Sequence, residues 1–350
     1  MKKRWSVLAA LFLTAGLTAC AGTGAEQTQS AAEPPSAVET EVQTENQAEA
    51  QTGMPEETVS ASGEGEMDTA KPQEDRAGNP ITVPEEVNSI ISLAPATTQI
   101  LCDLGLADKI VAVDTNSPQY AEELTEDVMQ FDMMEPDLEQ ILNAEPDIIF
   151  VSNMSSQGGD DIFKSVRDAG ICVAEIPTSN SIEDVKEDVR FTADCVGMPE
   201  EGAELVADME KVIDEVSAIG QNIEEKKTVL FEISPVPYLY SFGTGVYLNE
   251  MIELIGAQNV LADQEGWISV TEESAVSADP DVILTSDNFS NEDPVTEILG
   301  RTGWENVTAV KNGQVAYIDN AASSLPNHHI VDALKEMAKA IYPEEYAGLE

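Results

Sequence analysis

The sequence predicts an α/β fold built as two similar lobes joined by a long helix. Three observations carry this. Short apolar runs rich in Ile and Val alternate with runs of helical period, which implies a largely parallel sheet. A pattern of Glu, then Pro-Asp, then a strand occurs once in each half of the chain. A long amphipathic run, about residues 200–223, separates the two halves.

The elements follow in order. Structure is expected to begin near Ile81, with Ser89–Leu93 as a buried strand and Thr97–Leu104 as a helix closed by Gly105. Lys109–Val113 reads as a second strand, Leu138–Ala144 as a helix and Asp147–Ser152 as a third strand. Ile162–Ala169 reads as a helix closed by Gly170, and Cys172–Ile176 as a fourth strand. Residues 182–196 are amphipathic and stop at Gly197 and Pro199. In the long helix that follows, Leu205, Met209, Val212, Val216 and Ile219 mark one face at steps of four and three. Lys227–Ile233 opens a second strand–helix series. The expected domains are therefore an N-terminal lobe over 80–181, a helical linker over 182–225 and a C-terminal lobe over 226–350.

The repeat supports two related lobes. Glu139 precedes Pro146-Asp147 and the strand Ile148–Ser152, and Glu273 precedes Pro280-Asp281 and the strand Val282–Ser286 at the same interval. A second echo pairs Leu104–Val111 with Ile255–Leu261 in the same order.

The N-terminus reads as an export signal. Lys2, Lys3 and Arg4 precede an apolar run from Trp5 to Ala19, which is shorter than the about 20 residues that span a bilayer. Leu17-Thr18-Ala19-Cys20 resembles a bacterial lipobox, which implies a signal peptide over 1–19 and a lipidated Cys20. Residues 21–79 contain no aromatic residue and are rich in Ala, Glu, Gln, Thr, Ser, Gly and Pro. They are expected to form, from Cys20 to residue 79, a disordered acidic tether. The folded part would then work on the extracytoplasmic face of the cell membrane, held there by lipid.

The chain carries 17 Lys and Arg against 66 Asp and Glu, a formal net charge of −49. Such a surface repels nucleic acid, so no nucleic-acid partner is expected. Besides Cys20 there are Cys102, Cys172 and Cys195, none paired at the spacing of a zinc or redox motif. Each lies among apolar residues and reads as a buried free thiol.

The chain resembles the substrate-binding lipoproteins of ABC importers for cobalamin, iron–siderophores and haem. The matching stretches are Ile90–Thr98, Met134–Glu139, Glu145–Ile149 and Asn312–Tyr317. The resemblance covers about residues 81–346. It implies a class III periplasmic-binding-protein fold, two Rossmann-like lobes linked by one rigid helix, with a ligand between them. It also implies a monomer that delivers a metal chelate to an importer permease, with no intrinsic cofactor. Ligands of open α/β sheets bind outside the carboxyl ends of the strands. The cleft candidates are accordingly Pro95, Ala96, Thr97, Tyr120, Met134, Asn153, Tyr238, Tyr240, Phe242, Trp267, Asn288, His328 and His329. Tyr238, Tyr240, Phe242 and Tyr247 could stack on a flat ligand. The cleft loops contain no Arg, which counts against a strongly anionic siderophore.

His328 and His329 are the only histidines. Adjacent side chains on a helix diverge by about 100°, so no directly bound metal ion is expected. One of them could serve as an axial ligand to a haem or a cobalt corrin. In the importer family one surface glutamate per lobe pairs with permease arginines, and Glu139 and Glu273 match that pattern. There is no Gly-x-Ser-x-Gly elbow, Walker loop or metalloprotease helix, so no enzyme is expected. An exported α/β hydrolase and a structural envelope lipoprotein remain as alternatives.

Overall fold

A computed structural model describes residues 71–156 and 161–349. Cys20, the signal segment and most of the expected tether lie outside the described residues.

The N-terminal lobe begins earlier than residue 80. Asp75 is buried, and its carboxylate accepts the N–H groups of Ala77 at 3.0 Å, Asn79 at 2.8 Å and Glu175 at 3.0 Å. Arg76 pairs with Glu187 at 2.7 Å and with the buried Asp188 at 2.6 Å. The folded part therefore includes residues 75–79, which the sequence assigns to the tether. Composition missed this because charge, not apolar burial, holds the segment, and its partners lie far along the chain.

The lobe's elements are β1 (Ile90–Leu93), α1 (Pro95–Asp103), β2 (Ile110–Asp114), β3 (Met129–Phe131), α2 (Leu138–Ala144), β4 (Ile148–Ser152), α3 (Lys164–Asp168) and β5 (Cys172–Ile176). The strands form one parallel sheet in the order β3-β2-β1-β4-β5. β3 was not expected: only Phe131 of its three residues is buried, so it lacks an apolar run.

Two helices link the lobes. α4 (Ile182–Val196) opens with a capping box between Ser181 and Asp184 and ends at Gly197, whose φ is 78°. α5 (Pro199–Gly220) starts on its proline and is about 33 Å long. The predicted stripe faces inward: Met209 and Val216 are buried, and Leu205, Val212 and Ile219 pack on the core. At its end a Cβ on Gly220 would lie 2.0 Å from the carbonyl oxygen of Leu254.

The C-terminal lobe comprises β6 (Thr228–Glu232), β7 (Tyr240–Phe242), α6 (Tyr247–Leu254), β8 (Gln258–Asn259), β9 (Trp267–Ser269), α7 (Glu272–Ala278), β10 (Val282–Thr285), α8 (Pro294–Leu299), α9 (Thr308–Asn312), β11 (Val315–Tyr317), α10 (Asn320–Ser324) and α11 (Ile330–Ile341). Its parallel sheet runs β11-β10-β6-β8, and β7 and β9 form an antiparallel ribbon.

The repeat is structural. In each lobe the strand after Pro-Asp lies beside the lobe's first strand: β4 on β1, and β10 on β6. Helices α2 and α7 both end on a left-handed non-glycine residue, Glu145 at φ 46° and Asp279 at φ 45°. The aspartate after each proline then caps the start of the lobe's first strand. Asp147 Oδ2 accepts Asn88 N–H at 2.8 Å and Ser89 N–H at 3.0 Å; Asp281 Oδ2 accepts Thr228 N–H and Oγ1–H, both at 2.8 Å. One apolar core joins the lobes, running from Ile90 and Leu101 through Val189 and Val216 to Phe231 and Leu334. Among the described residues no helix is long and apolar enough to cross a membrane.

Candidate ligand cleft

Parallel strands in both sheets end on loops, and a buried polar frame braces those loops. In the N-terminal lobe Thr98 Oγ1 donates to Ser92 Oγ at 2.8 Å, Ser117 Oγ lies 2.9 Å from Thr98 Oγ1, and Ser117 also bonds the Asp114 carboxylate. Asp114 accepts the N–H groups of Asn116 and Ser117 as well. The frame fixes the short turn Ser117–Gln119 and so presents Tyr120, whose carbonyl accepts Gln99 Nε2–H at 3.1 Å. The Tyr120 phenol is pushed up by burial first, then by Asp114 and by Asp319 of the opposite lobe. The two loop systems thus feel one another's charge.

In the C-terminal lobe Asp287 follows β10 and accepts the N–H groups of Phe289 at 3.2 Å and Ser290 at 3.1 Å. This turn projects Phe289 outward, leaving it 73% exposed. Asn320 Nδ2 donates to the Ser286 carbonyl at 2.8 Å, while Ser286 Oγ is buried with no partner. At the end of β6, Glu232 is gripped by Arg301 at 2.8 and 3.0 Å, and Arg301 also pairs with Glu297 and lies 4.8 Å over the Trp304 ring. Burial pushes the Glu232 carboxyl up, and the Arg301 guanidinium opposes that shift.

Large apolar side chains stand exposed on these loops: Met134 after β3, Met154 after β4, Tyr238 after β6, Phe289 after β10 and Tyr317 at the end of β11. Folding leaves such groups in water only singly or where something binds. Loop segments 94–97, 115–120, 132–137, 152–157, 235–247, 286–290 and 320–329 contain no Lys or Arg. They do carry Asp132, Glu135, Asp137 and Asp287. The arrangement suits a ligand with broad apolar faces and no net negative charge.

The predicted residues divide. Pro95 and Ala96 are half-buried at the start of α1, Thr97 is buried, and Tyr120 is half-buried. Met134, Asn153, Tyr238, Tyr240 and Asn288 are exposed, Asn153 accepting Thr178 Oγ1–H at 3.1 Å. Phe242 is a correction. It is fully buried 5.6 Å from the Phe231 ring and 5.9 Å from Trp267, because the β7–β9 ribbon turns it inward. Trp267 is half-buried between Phe242 and the buried Tyr247. Met154, Phe289 and Tyr317 were missed. Their loops follow from the strand ends, but outward projection depends on turns that sequence spacing does not reveal.

The histidines bring a second correction. Both precede the first residue of α11, so helical divergence does not apply. Their rings lie 4.2 Å apart, and both Nε2 atoms meet Oδ2 of Asp103, at 3.0 Å from His328 and 2.9 Å from His329. Asp103 ends α1, about 12 Å along the helix from Pro95. The pair therefore sits at the opposite end of α1 from Pro95–Thr97.

Cys102, Cys172 and Cys195 are free and buried, as expected. Burial pushes the Cys102 thiol up to about 12 and the Cys172 thiol to about 11, so neither is a ready nucleophile.

Residues 90–322 match the model of a family described as periplasmic binding protein. The chain belongs to this family. It is 30% identical over 275 residues to an uncharacterized ABC transporter substrate-binding lipoprotein of Bacillus subtilis, covering 78% of this chain and 86% of that one. It is 25% identical to a molybdate-binding protein of Haemophilus influenzae, over 79% of this chain and 86% of that one. It is 24% identical to a cobalamin-binding protein of Halobacterium salinarum, over 77% of this chain and 73% of that one. Among solved structures, a possible iron-binding periplasmic solute-binding protein of Staphylococcus epidermidis superposes with a TM-score of 0.64 at 28% identity. That superposition covers 74% of this chain and all of the other. The fold is the two-lobed class III arrangement, and the protein is a substrate-binding component of an ABC importer, not an enzyme.

Proposed function

We propose that this protein is a lipid-anchored, extracytoplasmic receptor that delivers a bulky metal chelate of neutral or positive charge to its permease. Cobalamin fits this reading best, a neutral or cationic iron–siderophore next, and haem third. The observation that carries it is the set of exposed Met, Tyr and Phe side chains on loops without Lys or Arg. Aromatic faces and thioethers suit the flat, greasy faces of a large chelate. A small oxyanion such as molybdate, or a polyanionic siderophore, would need cationic or densely placed N–H donors. Haem brings two carboxylates that this acidic surround does not offset.

Anchoring rests on the Leu17-Thr18-Ala19-Cys20 motif, and docking on Glu139 and Glu273, one on each lobe. A thermal-shift panel tests the ligand: cyanocobalamin, haemin, one neutral and one polyanionic ferric siderophore, and molybdate. A ligand present at a hundredfold its Kd stabilises the fold by about 2.7 kcal/mol. Cyanocobalamin should raise Tm, and Tyr238→Ala with Phe289→Ala should lower that affinity at least about tenfold. A rise with molybdate or the polyanionic siderophore alone would overturn the reading.

A further inference from the structure

We propose that Asp103, His328 and His329 form a binding site for one divalent transition-metal ion of the zinc type, separate from the chelate cleft and bridging the two lobes. The chain's only two histidines both aim Nε2 at a single carboxylate oxygen. One ligand atom from each of the three residues lies within 4.8 Å of the others. Zinc holds nitrogen and oxygen ligands at about 2.0–2.1 Å, which places tetrahedral donors about 3.3 Å apart. The two histidine-to-Asp103 separations of 2.9 and 3.0 Å need to open by about 0.3–0.4 Å to reach that spacing.

The surroundings suit the ion. A metal on Nε2 leaves the ring proton on Nδ1, and His329 Nδ1 faces Asp332 Oδ2 at 3.5 Å. A carboxylate behind a ligating histidine orients the ring and raises its basicity. Asp103 and His329 are 36% and 37% exposed at their side chains, so a water can complete the shell. His328 is buried, and its Nδ1 has no hydrogen-bond partner. Two imidazoles with one carboxylate favour Zn²⁺, Co²⁺, Ni²⁺ or Cu²⁺ over Mg²⁺ and Ca²⁺, which prefer oxygen.

Neither lobe supplies the site alone. Asp103 ends α1 of the N-terminal lobe, and the histidines precede α11 after the last strand of the C-terminal lobe. Asn327 adds a second crossing, donating through Nδ2 to Gln99 Oε1 at 2.5 Å. An ion here would clip the end of α1 to the start of α11 and favour this arrangement of the lobes.

The test is titration of the metal-stripped full chain with Co²⁺, followed by visible absorption, and with Zn²⁺, followed by Tm. The wild type should show the intense bands of low-coordinate Co²⁺ saturating at one ion per chain, with Zn²⁺ displacing it. Asp103→Asn and His329→Ala should lose affinity beyond the roughly 10–100-fold that removal of an outer partner such as Asp332 brings. Mg²⁺ should not compete. Equal binding by wild type and Asp103→Asn, or only weak octahedral bands, would overturn the site and leave a proton-bound triad with general attraction to an acidic surface. Should the variants fail to fold, histidine acylation of the wild type decides. Zn²⁺ must shield His328 and His329 from the reagent, and unshielded acylation overturns the proposal. No chelate enters the experiment, so its outcome is independent of the ligand reading.

Discussion

Glu139 and Glu273 occupy the second position of two equivalent helices, α2 and α7, and both are exposed. An acidic residue in a first helical turn contributes a few tenths of a kcal/mol through the helix dipole. The same residue at the same place on both lobes is better suited to a partner that touches both at once. Glu139→Ala combined with Glu273→Ala should leave Tm and ligand affinity unchanged and slow uptake by cells. Wild-type uptake at physiological salt would return both residues to the role of helix-end charges. Arg301 is the opposite case, a charge used up by structure. Its guanidinium holds Glu232, whose side chain is 1% exposed. Arg301→Ala strands that carboxylate and should cost about 3–5 kcal/mol in urea unfolding. A loss below about 1 kcal/mol would mean that water or rearrangement replaces the pair.

The recurring element is a short helix, a left-handed stop, Pro-Asp and a buried strand. The aspartate is its working part, since Asp147 and Asp281 each close two donors at the start of a neighbouring strand. Removing such an acceptor leaves half-buried donors at Ser89 or Thr228 unpaired, at about 1–3 kcal/mol. Asp147→Ala and Asp281→Ala should therefore destabilise by similar amounts, read as equal shifts in denaturant midpoint. A large loss in one lobe and none in the other would show that the repeat is one of sequence and not of energetics. The joint between linker and C-terminal lobe works through close approach instead. Gly220 lies where a Cβ would meet the Leu254 carbonyl, so no side chain fits without moving α5 or α6.

At the scale of the whole molecule, a single apolar core passes from one lobe through α4 and α5 into the other. Lobes that share a core cannot hinge apart without exposing it, which favours a receptor that closes little on its ligand. A net charge of −49 repels anionic headgroups, so the proposed retention at a membrane rests on the anchor at Cys20. Cys20→Ser should release the protein from the detergent phase or block its maturation. Unchanged partitioning of that variant would sink the lipoprotein assignment.

The strand–helix alternation, the two related halves, the long linker helix and the buried thiols were all legible in the chain. These rest on local periodicity and on caps such as Gly197, which act within a few residues. The equivalent positions of Glu139 and Glu273 and the strand-end loops were legible for the same reason. Tertiary structure alone decided that Phe242 is core, that Phe289, Met154 and Tyr317 project, and that residues 71–79 are pinned by Asp75 and Arg76. It also brought His328 and His329 onto Asp103, more than 220 positions earlier in the chain. Each of these depends on partners distant in sequence, and on turns whose direction is set by what they pack against, so no local pattern could carry them.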